Sequence, residues 1–131
     1  MNQRIQPRFL TGLFAILSGT LLFAIGDAPS LIDQLANYPN PFDSRREETH
    51  ITYRLAQDLP VKVRIYDLFG YPVKEFSFNP GDSGARFGQN TIRWDGTDSS
   101  GQKVSKGGYI CQIIVDGDQP VRMIRKIGVI H

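Results

Sequence analysis

The sequence predicts an all-β fold, an antiparallel sandwich of about seven short strands, preceded by one N-terminal hydrophobic helix. Three observations carry that expectation. Apolar and polar residues alternate with period two through most of the chain beyond Asn37. Turn signals built from Gly, Pro, Asn and Asp punctuate the alternation. Thirteen glycines and eight prolines in 131 residues suit short strands joined by many turns.

Residues 1–26 form the first segment. Met1 to Arg8 carry two arginines and no acid, and the run from Phe9 to Gly26 is uncharged and nearly all apolar. Its membrane-compatible side chains are Phe9, Leu10, Leu13, Phe14, Ile16, Leu17, Leu21, Leu22, Phe23 and Ile25. A basic start followed by an apolar run is the layout of a secretory signal peptide and equally of a short transmembrane helix. As helix, Phe9 to Ile25 gives roughly 25 Å at ~1.5 Å per residue, a little short of a ~30 Å hydrocarbon core but tolerable with local thinning. Ala24 and Gly26 satisfy the small-residue rule for cleavage after Gly26. The reading taken is a retained signal anchor, with Arg4 and Arg8 cytoplasmic and the domain periplasmic. A cleaved signal peptide stands as the alternative.

Residues 27–37 read as a linker holding a short amphipathic helix, Pro29 to Ala36. Ser30 is placed as N-cap, Asp33 follows three residues on, and Leu31, Ile32 and Leu35 fall on one side.

Residues 38–131 read as the sandwich domain. Ile51, Tyr53 and Leu55 alternate with Thr52 and Arg54, and Val61, Val63 and Ile65 alternate with Lys62 and Arg64. Phe76 and Phe78 flank Ser77, and Ile92 and Trp94 flank Arg93. Tyr109 to Val115 is β-rich, and Val121 to Ile130 closes the chain with Ile and Val separated by Arg122, Arg125 and Lys126. The expected core is Ile51, Tyr53, Val61, Val63, Ile65, Ile92, Trp94, Tyr109, Cys111 and Ile113. This spacing of strands and turns is that of an immunoglobulin/fibronectin-III-like sandwich.

Leu35, Asn37 and the run Tyr38-Pro39-Asn40-Pro41-Phe42 resemble the opening of the C-terminal sorting domains of type IX secretion cargo. The same pattern opens the related immunoglobulin-like domain named after the flagellar hook-capping protein. Further landmarks follow in order: Ile65-Tyr66-Asp67-Leu68-Phe69-Gly70, Trp94-Asp95-Gly96 with Asp98 and Gly101, Gly107 with Tyr109, and Lys126 ahead of the last apolar run. The resemblance covers Leu35 to His131 and implies a seven-strand sandwich without enzymatic activity. Asp43-Ser44-Arg45-Arg46-Glu47-Glu48 stands where the family commonly has Asn-Pro. No cargo precedes the domain, so the module is expected to act by itself.

Composition argues against several other functions. Arg4 and Arg8 account for the net charge of +2, leaving equal numbers of basic and acidic residues beyond them. The basic residues never cluster on one segment, so no nucleic-acid footprint is expected. Cys111 is the only cysteine and reads as a small core hydrophobe. Asp95-Gly96-Thr97-Asp98-Ser99-Ser100-Gly101 superficially resembles a calcium loop. Counted from Asp95, however, positions six and twelve are Ser100 and Lys106, where an EF-hand needs Gly and Glu. A tight turn is the expected structure. His50 and His131 stand apart from any nucleophile or metal-spaced partner. No catalytic, cofactor-binding or metal site is therefore expected, and no small-molecule substrate.

The functional expectation is a non-enzymatic interaction module of the bacterial cell envelope. It would sit at the inner membrane as an accessory or structural subunit of a larger membrane-protein complex, touching the membrane through its N-terminal segment. The alternative is a secreted or cell-surface domain of the sorting type.

Overall fold

The computed structural model describes residues 30–131. The apolar run from Phe9 to Ile25 and its arginine flank lie outside the described residues, as does the helix expected there. Seven strands make up the described residues: β1 (Ile32–Tyr38), β2 (Thr49–Leu55), β3 (Val61–Asp67), β4 (Pro72–Phe78), β5 (Gly88–Trp94), β6 (Gly107–Val115) and β7 (Val121–Val129). A three-stranded sheet runs β1-β2-β5 and a four-stranded sheet runs β4-β3-β6-β7, with every named pairing antiparallel. This is the expected immunoglobulin-like sandwich.

The alternation in the sequence sets which side chains meet between the sheets, because successive strand residues face opposite sides. From β2, Ile51, Tyr53 and Leu55 point inward, and from β3, Val61, Val63 and Ile65. Ile92 and Trp94 of β5 join them with Tyr109, Cys111 and Ile113 of β6. All ten residues expected in the core are buried there. Phe42, Ile32, Ala85, Val115, Ile127 and Val129 complete it. Edge strand β4 begins at Pro72, which has no N–H to give to a ladder.

The expected helix at Pro29 to Ala36 is corrected by β1. Strand β1 pairs with β2 on either side of an irregularity between Asp33 and Ala36, where Gln34 takes a φ of 58°. A bulge adds one residue and shifts the alternation. Ile32 and Leu35 therefore stand three apart instead of two, which is helical spacing. Ser30 does cap a backbone group, accepting from the Ile32 amide at 3.3 Å, but at the mouth of a strand.

Chain direction places the loops at two ends. One end holds Leu31 with the β2–β3, β4–β5 and β6–β7 connections. The opposite end holds the Pro39–Glu48 segment, the β3–β4 hairpin, the long β5–β6 loop and the C-terminus.

Candidate interaction surface

The Tyr38-Pro39-Asn40-Pro41-Phe42 run carries the chain from one sheet to the other. Tyr38 still pairs with His50 of β2, whereas Phe42 bridges in parallel to Val129 of β7. The Phe42 amide donates to the Gly128 carbonyl at 2.9 Å, and the Ile130 amide donates to the Phe42 carbonyl at 3.0 Å. Pro39 and Pro41 have no N–H, so the Asn40 side chain supplies the missing links. Its Nδ2 donates to the Lys126 carbonyl at 3.0 Å and its Oδ1 accepts from the Gly128 amide at 2.8 Å. Asn37, buried beside it, accepts from Arg125 Nε at 3.1 Å and donates to Thr49 Oγ1 at 3.2 Å. Both asparagines therefore act as structural fasteners.

Phe42 then enters the core edge-on to Trp94, ring centroids 5.7 Å apart, and Trp94 meets Tyr109 edge-on at 5.6 Å. Each polar tip is satisfied: Trp94 Nε1 donates to the Thr97 carbonyl at 2.9 Å and Tyr109 Oη to the Ser105 carbonyl at 2.6 Å. Gly96, at φ 81°, lies so close to Ser44 that a Cβ there would come within 2.6 Å of its Cβ. Asp43 to Glu47 form a capped turn, in which the Asp43 side chain accepts from the Arg45 amide at 3.0 Å and Glu47 Oε2 from the Asp43 amide at 3.0 Å. The Ser44 hydroxyl donates to the His131 carbonyl.

The Asp95–Gly101 segment is the expected turn. Asp95 Oδ1 accepts from the Thr97 hydroxyl and amide, and Asp98 Oδ1 from the Ser100 hydroxyl and the Ser100 and Gln102 amides. These donors, led by the Thr97 hydroxyl for Asp95 and the Ser100 hydroxyl for Asp98, hold both carboxyls below their usual range. Gly101, at φ 85°, closes the turn, its amide donating to the Asp98 carbonyl at 3.0 Å. Among the described residues no group of His, Cys, Asp and Glu is arranged to hold a metal ion. Burial pushes the Cys111 thiol up to about 12, as befits a core residue. His50 is exposed on β2.

The β3–β4 hairpin is organised by Asp67, whose Oδ1 accepts from the Phe69 and Tyr71 amides at 2.9 Å each. Gly70 takes the left-handed position at φ 90°. This frame leaves Leu68, Phe69 and Tyr71 66%, 88% and 68% exposed. Leu68 leans toward β6, where a Cβ on Gly108 would lie 3.3 Å from its Cδ1.

Gly108 belongs to the outer face of the four-stranded sheet. Cross-strand register places Tyr66 and Lys126 on either side of Ile110, Arg64 and Ile124 on either side of Gln112, and Lys62 and Arg122 on either side of Ile114. Ile124 is 61% exposed. A groove of about 290 Å³ is lined by Lys62, Arg64, Ser77, Ile114, Asp116 and Arg122. Arg64 pairs with Glu75 at 3.2 Å; among the described residues no ion pair involves Lys62, Arg122 or Lys126. The outer face of the other sheet is different. It carries Thr52 and Thr91 with His50 and Gln89, and its arginines are paired, Arg54 with Asp33 at 3.5 Å and Arg93 with Glu48 at 3.7 Å.

The motif residues thus divide by role. Phe42, Trp94, Gly96 and Tyr109 converge at one end of the core, Tyr38, Pro39, Asn40 and Pro41 cross between the sheets, and Asp95 and Gly101 shape the β5–β6 loop. Tyr66, Asp67 and Gly70 build the hairpin, and Gly107, at φ 149°, opens β6. Sequence reasoning missed the exposed hairpin tip. Its signal was present, because Leu68, Phe69 and Tyr71 stand inside a turn, where the chain offers them no core.

The fold defines a class, an immunoglobulin-like antiparallel β-sandwich. PorU of Porphyromonas gingivalis, a dimeric latent form, is similar with a TM-score of 0.62 and 26% identity over 83% of this chain. FlgD of P. aeruginosa follows at 0.56 and 21% over 77% of this chain and 76% of its own. PorZ, described as an essential surface component of the type IX secretion system of P. gingivalis, gives 0.50 and 18% over 74%. The chain spans 10% of the PorU chain and 11% of the PorZ chain. No protein-family model matches the chain, and no curated protein is significantly similar to it.

Proposed function

We propose that this chain is a non-enzymatic interaction module, held at the periplasmic face of the inner membrane by its N-terminal apolar segment. There it serves as an accessory or structural subunit of a larger membrane-protein complex. The observation that carries the reading is the hairpin tip, where Leu68, Phe69 and Tyr71 stand in solvent on a frame fixed by Asp67. Contiguous exposed apolar side chains mark contact sites, and a rigid hairpin limits the entropy lost on binding. The polar groups of the motif support the module reading too, because they are engaged in holding turns and sheets together. The likeness to FlgD, a hook-capping protein in its Xanthomonas campestris form, is in keeping with structural assembly.

A second reading has its own support. The likeness to PorZ, a surface component of a type IX secretion system, is in keeping with a secreted or cell-surface domain, for which the N-terminal segment would be a cleaved leader. The N-terminal residue of the mature native protein, read together with its cell fraction, separates the two. Met1 in the membrane pellet supports the anchored subunit, and a start near Asp27 in the soluble or surface fraction supports the second reading. In either case Phe69→Ser should abolish co-purification of native partners; full retention would overturn the interaction-module reading.

A further inference from the structure

We infer that the edge of β7 from Arg122 to Lys126 takes an extended strand of a partner protein, apolar at its centre and acidic on both flanks. The site lies apart from the hairpin tip and goes beyond the contact proposed there. Its geometry follows from bonds that the Asn40–Phe42 run already makes. The Gly128 amide donates to Asn40 Oδ1 and the Gly128 carbonyl accepts from the Phe42 amide, so both groups point away from β6. Such residues alternate along an antiparallel strand, which turns the N–H and C=O of Ile124 and Arg122 outward too. Among the described residues none of these four groups has a partner. An extended backbone supplies donors and acceptors at the spacing they require.

The other edges are less suited. β4 opens on Pro72, and the Ser99 amide already donates to its Val73 carbonyl at 2.9 Å. β1 is broken by its bulge, with Gln34 at a φ of 58°. The outer side chains of β5 are polar, Gln89, Thr91 and Arg93. β7 instead sets exposed Ile124 midway between Arg122 and Lys126 on its outer face, with half-buried Val121 and Met123 on the inner one. Proteins usually place charge at the centre of an open edge; here an apolar residue stands there.

Those side chains set the chemistry of the occupant. Residues directly opposite in a strand pair share a face. An added strand therefore puts one residue beside Ile124 and, two positions to either side, residues beside Arg122 and Lys126. Apolar suits the first and acidic the other two, while the residue beside Met123 turns inward and is apolar. Glu75 lies four strand spacings from the added strand, about 19 Å at ~4.8 Å each and beyond a screening length of ~8 Å. The Asp116 amide donates to the Pro60 carbonyl, which holds Asp116 on the β3 side of β6. A second copy paired antiparallel about Ile124 would set Arg122 against Lys126 twice, and like charges directly opposite destabilise a sheet. The chain's own N-terminal region brings Arg4 and Arg8 and has no acid before Asp27.

The test uses the full chain in neutral detergent, amide hydrogen exchange read residue by residue, and the capped peptide Glu-Val-Val-Val-Glu. At saturating peptide the Arg122 and Ile124 amides should exchange more slowly by about tenfold or more, while the Gln89 and Thr91 amides of β5 stay unchanged. Ile124→Pro removes an outward N–H and no bond to β6, and should abolish the protection. Ile124→Lys, which keeps every backbone group, should weaken binding by about tenfold. The peptide Lys-Val-Val-Val-Lys should bind more weakly by about tenfold. Equal protection by the lysine peptide, or equal protection of β5, overturns the inference. So does slow exchange at Arg122 and Ile124 without peptide, which in a dimer gives the edge to a second copy and in a monomer to the chain's own N-terminal region. Phe69→Ser should leave the protection unchanged. Native partners lost with Phe69→Ser, together with a β7 edge that no peptide protects, would keep the interaction module and remove this edge from it.

Discussion

The end of the sandwich that holds Phe42, Trp94 and Tyr109 also holds the hairpin tip with Leu68, Phe69 and Tyr71, and the two groups meet opposite fates. The first three interlock edge to face, every polar tip bonded to a nearby carbonyl. The second three stand in solvent although Asp67, beside them, pairs with Tyr109 across the sheet. Residue type does not separate these fates. Strand position does: Trp94 and Tyr109 fall on inward positions of β5 and β6, whereas a hairpin tip has no opposing sheet to bury it. Large apolar side chains in this protein therefore serve stability in one place and contact in the other.

That division is most directly broken at Trp94. Trp94→Ala should cost about 3–5 kcal/mol, as for other fully buried aromatics, read as a lower denaturant midpoint. An unchanged melting temperature would remove Trp94 from the core. Next is Gly96→Ala, which forces a Cβ onto Ser44 at a left-handed backbone position and should cost about 1–3 kcal/mol. If the variant melts like the parent, the close approach of the Phe42–Ser44 segment to the β5–β6 loop is wrong.

A smaller effect is expected from acid. Asp95 and Asp98 have folded-state carboxyls lowered by their hydroxyl and amide donors. The unfolded state then binds protons first as pH falls. Their contribution is fully present above the ordinary carboxylate value near about 4 and is lost as pH drops through the lower folded value. Asp95→Asn should flatten the acid limb of a stability–pH curve below that point and leave the neutral region parallel to the parent. A curve unchanged in shape would contradict the assigned bonds. Smallest is Phe69→Ser, which should shift stability by no more than about 0.5 kcal/mol, as for other exposed sites, while removing partner contact. A large loss of stability would mean that Phe69 is packed, and the contrast between the two groups would disappear.

How far the sequence discloses this arrangement depends on whether a residue's role is local. The core of β2, β3, β5 and β6 is legible because period-two alternation is a property of one strand at a time. β1 is not, since its bulge at Asp33 to Ala36 gives Ile32 and Leu35 the spacing of a helix. Phe42 is recognisable within its motif, yet its burial depends on β7, more than eighty residues away in the chain. Asn90 escapes notice for a related reason. It is buried because it bonds the Gly84 and Arg86 amides and the Arg86 and Gly88 carbonyls, a loop geometry that no alternation announces. The cationic outer face is likewise assembled from β3 and β7, which are distant from each other in sequence and come to flank β6 only in the sheet. Charge counting along single segments therefore finds nothing there.

The parallel bridge between Phe42 and β7 has a mechanical consequence. The chain leaves β1, runs alongside β7 in the same direction, and is held by the Phe42–Gly128, Ile130–Phe42 and Ser44–His131 backbone bonds. A pull that separates the N-terminal side from His131 acts along these strands, so the three bonds bear the load side by side. They must give way together instead of peeling open one after another. Stretching single molecules between those two points should produce one abrupt, high-force extension; gradual lengthening at low force would contradict this geometry.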